Sequence, residues 1–128
     1  MTRPATPSID SPQLALRFAL ELGALIGIGR WASLLAEGPW AYATGVGVPL
    51  AAAVAWGTFA VRGDPSRSGN APVPVPGTLR LALELVVFVT GAVGFAVRQN
   101  FIACGVFVAL LGAHHAATKS RIRWLLEQ

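Results

Sequence analysis

Apolar residues fall in four long runs, separated by short clusters of polar residues, glycine and proline. Residues 41–61 contain no charged residue, and residues 99–118 lack Lys, Arg, Asp and Glu while including His114 and His115. Residues 14–35 and 79–97 are also apolar, each with an Arg and a Glu near its start. A helix crosses a bilayer with about 20 largely apolar residues, whereas runs of about 10–14 suit the buried helices of soluble proteins. The pattern predicts four transmembrane helices, with 41–61 and 99–118 the strongest.

The breaks agree with this. Glu37-Gly38-Pro39 separates the first two spans, and Arg98-Gln99-Asn100 forms a tight polar turn. Residues 62–78 make a polar loop ending in alternating prolines, which favour extended chain over helix. Residues 1–13 hold three prolines and no apolar core. They are expected to form a disordered tail, unlike a signal peptide, so that the first span directs insertion. Residues 119–128 form a basic tail whose Trp124 suits the headgroup zone. The expected fold is all-α: an integral membrane four-helix bundle running up-down-up-down.

Composition excludes the alternatives. Of 128 residues, 54% are hydrophobic and 12% charged, about half the charge of a typical soluble domain. Such apolar content also excludes a disordered chain. Ten Lys and Arg against six Asp and Glu give a net charge of +4. The basic residues flank apolar runs instead of clustering, which suits anionic lipid headgroups and not nucleic acid. Arg3, Arg17, Arg62, Arg67, Arg80, Lys119, Arg121 and Arg123 lie on or beside the side shared by the tails and the 62–78 loop; only Arg30 and Arg98 lie near the other. The positive-inside rule then puts both termini in the cytoplasm.

The first and third spans open alike. Leu16-Arg17-Phe18-Ala19-Leu20-Glu21-Leu22 and Leu79-Arg80-Leu81-Ala82-Leu83-Glu84-Leu85 differ only at Phe18 against Leu81. Both segments enter from the same side, so this is a parallel two-helix repeat about an axis near the membrane normal. These openings, with Pro49, Trp56-Gly57-x-Phe59 and Leu83-Glu84-Leu85-x-x-Phe88, resemble the YrdB-like family of small bacterial membrane proteins, a domain of unknown function. The resemblance covers roughly residues 14–117 and implies four helices but no activity. A proline-rich turn directly after the Trp-Gly-x-Phe element is usual in that family, whereas here Arg62-Gly63-Asp64-Pro65 leads into a longer loop.

Ionisable residues inside a span cost about 2.5–3.5 kcal/mol each on insertion scales and are functional candidates by default. Glu21 and Glu84 lie roughly 8–10 Å into their helices at 1.5 Å per residue. His114, His115 and Trp56 fall in the same cytoplasmic third. Two carboxylates, two imidazoles and an indole at one depth suit a proton relay or a polar ligand pocket. Because the repeat places equivalent residues at equivalent heights, both carboxylates are expected to face the interior. A structural role competes with this, since Arg17 with Glu21 and Arg80 with Glu84 are spaced to pair within one helix. The histidines, about 100° apart on the helix, also fit plain hydrogen bonding.

Other chemistry lacks a pattern. No metal-ligand spacing and no cofactor motif occurs, and Cys104 has no neighbouring base in sequence. Gly23-x-x-x-Gly27, Ala51-x-x-x-Ala55, Ala92-x-x-x-Ala96 and the Gly105, Ala109, Ala113 series give each span a small-residue stripe for close helix packing. Three functions remain open: a carrier, channel or ligand-binding protein using the Glu/His/Trp layer, expected as a homo-oligomer; an accessory subunit of a larger membrane complex; and, third, a membrane-embedded enzyme acting on a lipid-like substrate.

Overall fold

The computed structural model describes residues 5–128. Arg3, counted above among the basic residues, therefore lies outside the described part. Five helices account for most of the chain: α1 (Ser11–Ala32), α2 (Pro39–Thr58), α3 (Gly77–Val97), α4 (Phe101–Ala117) and α5 (Lys119–Leu126). Two short strands, β1 (Phe59–Ala60) and β2 (Val73–Pro74), pair in parallel. The all-helical expectation is corrected to that extent. The alternating prolines hold residues 73–76 extended, and Val75 completes the pairing by donating to the Ala60 carbonyl at 2.9 Å.

Helix starts follow local chemistry. Pro12 and Pro39 sit in the first turns of α1 and α2, where no intrahelical N–H is needed. The Asn100 side chain caps α4 by accepting from the Ala103 N–H at 3.1 Å. Helix α1 begins earlier than expected, so the tail ends near Asp10 and Gln13 is already helical.

Helices α1 and α3 are long and apolar enough to cross a membrane; α4 and α5 meet that test only together, bent by 68°. The ranking of spans is thus corrected. Free of charge is not the same as apolar: α2 carries Trp40, Tyr42, Thr44, Pro39 and Pro49, which dilute its aliphatic residues. Helix α4 has 17 residues, which reach only about 25 Å at 1.5 Å per residue.

The core of the molecule is the α1–α3 pair. Glycines set its distance and register. A Cβ on Gly94 would collide with the Gly27 carbonyl, and one on Gly27 with the Gly91 carbonyl. Gly91 itself lies against Ala24, where an added Cβ would stand 2.7 Å from the Ala24 Cα. Close backbone contact of this kind is what joins helices in lipid, where apolar burial between them gains little. Of the stripes expected, Gly27 packs in this way, but Gly105 on α4 meets nothing within 4 Å and faces outward.

This packing places Arg17 beside Glu84, 67 residues on, and likewise Ala24 beside Gly91 and Gly27 beside Gly94. The sequence repeat has an offset of 63. Gly27 also meets Gly91, 64 residues on, so the two helices are slipped by between one and four residues, at most about 6 Å of rise. Glu21 and Glu84 therefore lie within about one helical turn of each other along the pair.

Helix α2 packs on α1 and barely touches α3, leaving none of its residues fully buried. Its closest approach is at Gly29, whose added Cβ would meet the Gly45 carbonyl oxygen at 2.7 Å. Helix α4 closes the other side through Phe107, which stacks at an angle on Phe88 and Phe95.

The C-terminal segment is not a surface tail. Thr118 donates from Oγ1 to the His114 carbonyl at 2.8 Å, and the chain turns there into α5. Trp124 and Leu125 bury against Val61. Leu125 also lies on Gly77, where any side chain would strike its carbonyl. Trp124 is thus an interior residue and not a headgroup anchor.

Candidate functional site

Glu84 is fully buried and meets cations from two other elements. Arg17 of α1 donates from Nη1 to Oε1 at 2.8 Å. Arg121 of α5 donates from Nη1 to both carboxylate oxygens, and from Nη2 to Oε2, at 3.1 Å. His115 of α4 brings Nε2 to 3.4 Å from Oε1, while its Nδ1 lies 2.9 Å from the Leu111 carbonyl. Arg17 and Arg121 are 2% and 1% exposed, so the pairs stand in low dielectric, where each is retained only if well hydrogen-bonded.

Arg121 continues the network to the loop between β1 and β2. Its Nε and Nη2 grip the two oxygens of Asp64 at 2.8 and 2.7 Å, a bidentate pairing favoured by the planar guanidinium. The Ser66 N–H also donates to Asp64 at 2.9 Å. Burial alone would raise the Asp64 pKa, but Arg121 and Ser66 outweigh it and hold the carboxyl below its ordinary value. Burial likewise opposes the Arg121 charge, yet its two carboxylate partners raise its pKa.

The expected Arg80–Glu84 pair does not form. Glu84 is saturated by Arg17 and Arg121, and Arg80 turns to the end of α2. There its Nη1 donates to the Trp56 and Phe59 carbonyls at 2.7 Å, with its guanidinium 4.6 Å from the Trp56 ring centre. Arg67 reaches the same end, donating to the Trp56 and Gly57 carbonyls at 3.1 and 3.2 Å. Those carbonyls lack intrahelical partners and carry the negative end of the helix dipole, which attracts both arginines.

Glu21 keeps its neighbour, accepting from Arg17 Nε at 3.2 Å, but is 29% exposed. The two histidines separate: His114 is fully buried with Nδ1 3.0 Å from Gln13 Oε1, and His115 turns to Glu84. Among the described residues, no group of three His, Cys, Asp or Glu side chains is placed to hold a metal. The site therefore draws in Glu84, His115, Arg17 and Trp56 as neighbours, while His114 and Glu21 stand at its edges.

Asp64, Arg121, Arg67 and Gln13 join the cluster without having been singled out in sequence. One signal was present: Asp64 is the only acid in a loop otherwise supplied with arginine.

Two openings meet at Glu21. One, of about 160 Å³, is apolar and lined by Phe18, Glu21, Leu22, Leu25, Ala53, Trp56 and Val87. The other, of about 270 Å³, is more polar and lined by Leu14, Arg17, Phe18, Glu21, Pro65, Ser66 and Arg67. Three residues that line it carry buried donors with no hydrogen-bond partner among the described residues: Arg17 at Nη2, Ser66 at Oγ and Arg67 at Nε. Leaving a buried donor unpaired costs about 1–3 kcal/mol, so the wall is chemically incomplete.

The chain is similar to known sequences along most of its length. Residues 15–111 match the family described as "Protein of unknown function (DUF2568)". The chain is 35% identical over 120 residues to the "Uncharacterized protein YrdB" of Bacillus subtilis (strain 168), covering 94% of this chain and 98% of that one. No solved structure matches it. The glycine-locked α1–α3 pair and the Glu84 cluster are accordingly features of a chain that belongs to the DUF2568 family and is similar to YrdB.

Proposed function

We propose that this chain is a multi-pass protein of the bacterial cytoplasmic membrane, crossing four times with both termini inside, that binds an amphipathic ligand from the lipid side. The observation that carries this reading is the contrast between its two repeat carboxylates. Glu84 is sealed and saturated by arginines, so it fastens α1, α3, α4 and α5 together, and Arg121 extends the clasp to the loop through Asp64. Glu21 stands partly exposed where an apolar and a polar opening meet. A channel or carrier path through the Glu84 layer would have to break that cluster, whereas a groove between α1 and α2 needs no such step. The ligand site on this reading is Glu21, Trp56 and Arg17, with Glu84, His115 and Arg80 as its support.

Mass spectrometry of small molecules that copurify with the protein in mild detergent tests this. Glu21→Gln and Trp56→Phe should lower the amount of bound amphiphile while the helical fold persists. Undiminished retention in both variants would overturn the groove as the site.

A further inference from the structure

The polar opening at the start of α1 has a composition that narrows its ligand. Around it and the adjoining cluster lie four arginines, Arg17, Arg67, Arg80 and Arg121, against three carboxylates, Glu21, Asp64 and Glu84. Arg67 and Arg80 have no carboxylate partner among the described residues; both hold backbone carbonyls. The surplus is one positive charge. Arg17 is 2% exposed, lines the opening, and leaves Nη2 unpartnered, as do Ser66 at Oγ and Arg67 at Nε. A wall with surplus positive charge and three unused donors calls for an anion with several acceptor oxygens.

Its surroundings choose the kind of anion. The polar opening shares Phe18 and Glu21 with the apolar one, and the lining of the two together runs along α1 from Leu14 to Leu25, about 16 Å of helix. Polar lining lies at the end of α1 that begins the span, where headgroups sit, and apolar lining lies deeper, where acyl chains sit.

We propose that this groove binds an anionic phospholipid, with its phosphate diester at Arg17, Ser66 and Arg67 and one acyl chain between Leu22, Leu25 and Ala53. This rests on the ligand-binding reading above and names its ligand class. The phosphate supplies acceptors to the unused donors and balances the surplus charge. Glu21 is the carboxylate on this wall, and its Oε1 is already engaged by Arg17 Nε at 3.2 Å. A hydroxyl-bearing headgroup can donate to it, which favours phosphatidylglycerol over headgroups without donors.

Native mass spectrometry of the full chain in detergent, titrated with dioleoyl phosphatidylglycerol, dioleoylglycerol and glycerol phosphate, tests the proposal. The phospholipid should be retained about tenfold more tightly than the diacylglycerol, and glycerol phosphate alone should not be retained. Arg67→Gln should remove the preference, and Ser66→Ala should reduce it about threefold; if Arg67→Gln fails to fold, Ser66→Ala carries the test. Equal retention of phospholipid and diacylglycerol by the wild type would overturn the phosphate assignment and leave the groove standing. Retention of neither would overturn the groove itself. Glycerol phosphate bound as tightly as the lipid would overturn a lipid occupant, and an unchanged preference in a folded variant would overturn the named donors.

Discussion

Arg17 donates to Glu84 across 2.8 Å, joining α1 to α3, although the sequence repeat aligns Arg17 with Arg80 and not with its acceptor. The slip of the two helices accompanies this, and the repeat's four charges fall to unequal tasks. Arg17 and Glu84 meet in the interior. Arg80 holds the end of α2, and Glu21 remains at the groove.

The two carboxylates should therefore respond unequally to neutralisation. Removing one partner of a buried, hydrogen-bonded ion pair costs about 3–5 kcal/mol. Glu84→Gln leaves Arg17 and Arg121 facing an uncharged amide, and a fall of that size in stability is expected in thermal or denaturant scans of the detergent-solubilised protein. Glu21→Gln removes a part-exposed helix pair and should cost no more than about 1 kcal/mol. Equal losses would contradict the unequal division.

Docking of α5 should depend on pH through Asp64. Its folded pKa lies below the ordinary value of 3.8, so its contribution to stability is fully present above that value. It is lost as pH falls through the lower, folded value. Protection of the α5 amides, relative to their intrinsic exchange at each pH, should stay high at neutral pH and fall only below about pH 4. Asp64→Asn should make exchange in α5 fast already at neutral pH and erase that dependence.

Glycine substitutions sort the helix contacts by consequence. Gly94→Ala forces a Cβ into the Gly27 carbonyl and should cost about 1–3 kcal/mol, as overpacking does. Gly77→Ala should release α5, seen as new protease cleavage after Arg121 or Arg123, because the methyl collides with the Leu125 carbonyl. Gly105→Ala, inside α4 with nothing within 4 Å, should cost nothing and raise stability by up to about 1 kcal/mol through helix propensity.

Orientation in the membrane is open to labelling. In a Cys104→Ala background, Ser68→Cys and Glu37→Cys place single thiols at exposed loop positions. A membrane-impermeant maleimide added to intact cells should modify position 37 and spare position 68. The reverse pattern would contradict cytoplasmic termini.

Legibility in the sequence followed the range of the interaction. Helix positions came through because apolar runs and proline breaks are local signals, and α1, α3 and α4 begin within a few residues of their expected starts. The Arg17–Glu21 pair was legible for the same reason, as spacing of four residues is local. Glu84's partners were not, because Arg17 lies 67 residues before it and Arg121 37 after it. Local spacing favours Arg80 for Glu84; the carbonyls at the end of α2 compete for that arginine, and this competition exists only in three dimensions. Residues 119–128 were misjudged because basic composition suits a headgroup tail and a buried clasp equally. The deciding partner, Asp64, stands 57 residues away from Arg121.

The clasp made by Arg121 also sets an order of assembly. Glu84 leaves the ribosome 37 residues before Arg121, an interval of roughly 2–7 s at usual bacterial elongation speeds. Arg17 has by then been synthesised, so during that interval the carboxylate has a cation from α1 but none from α5. On that order the α1–α3 pair, locked by its glycines, is expected to form first, and the last helix of the described chain to close on it.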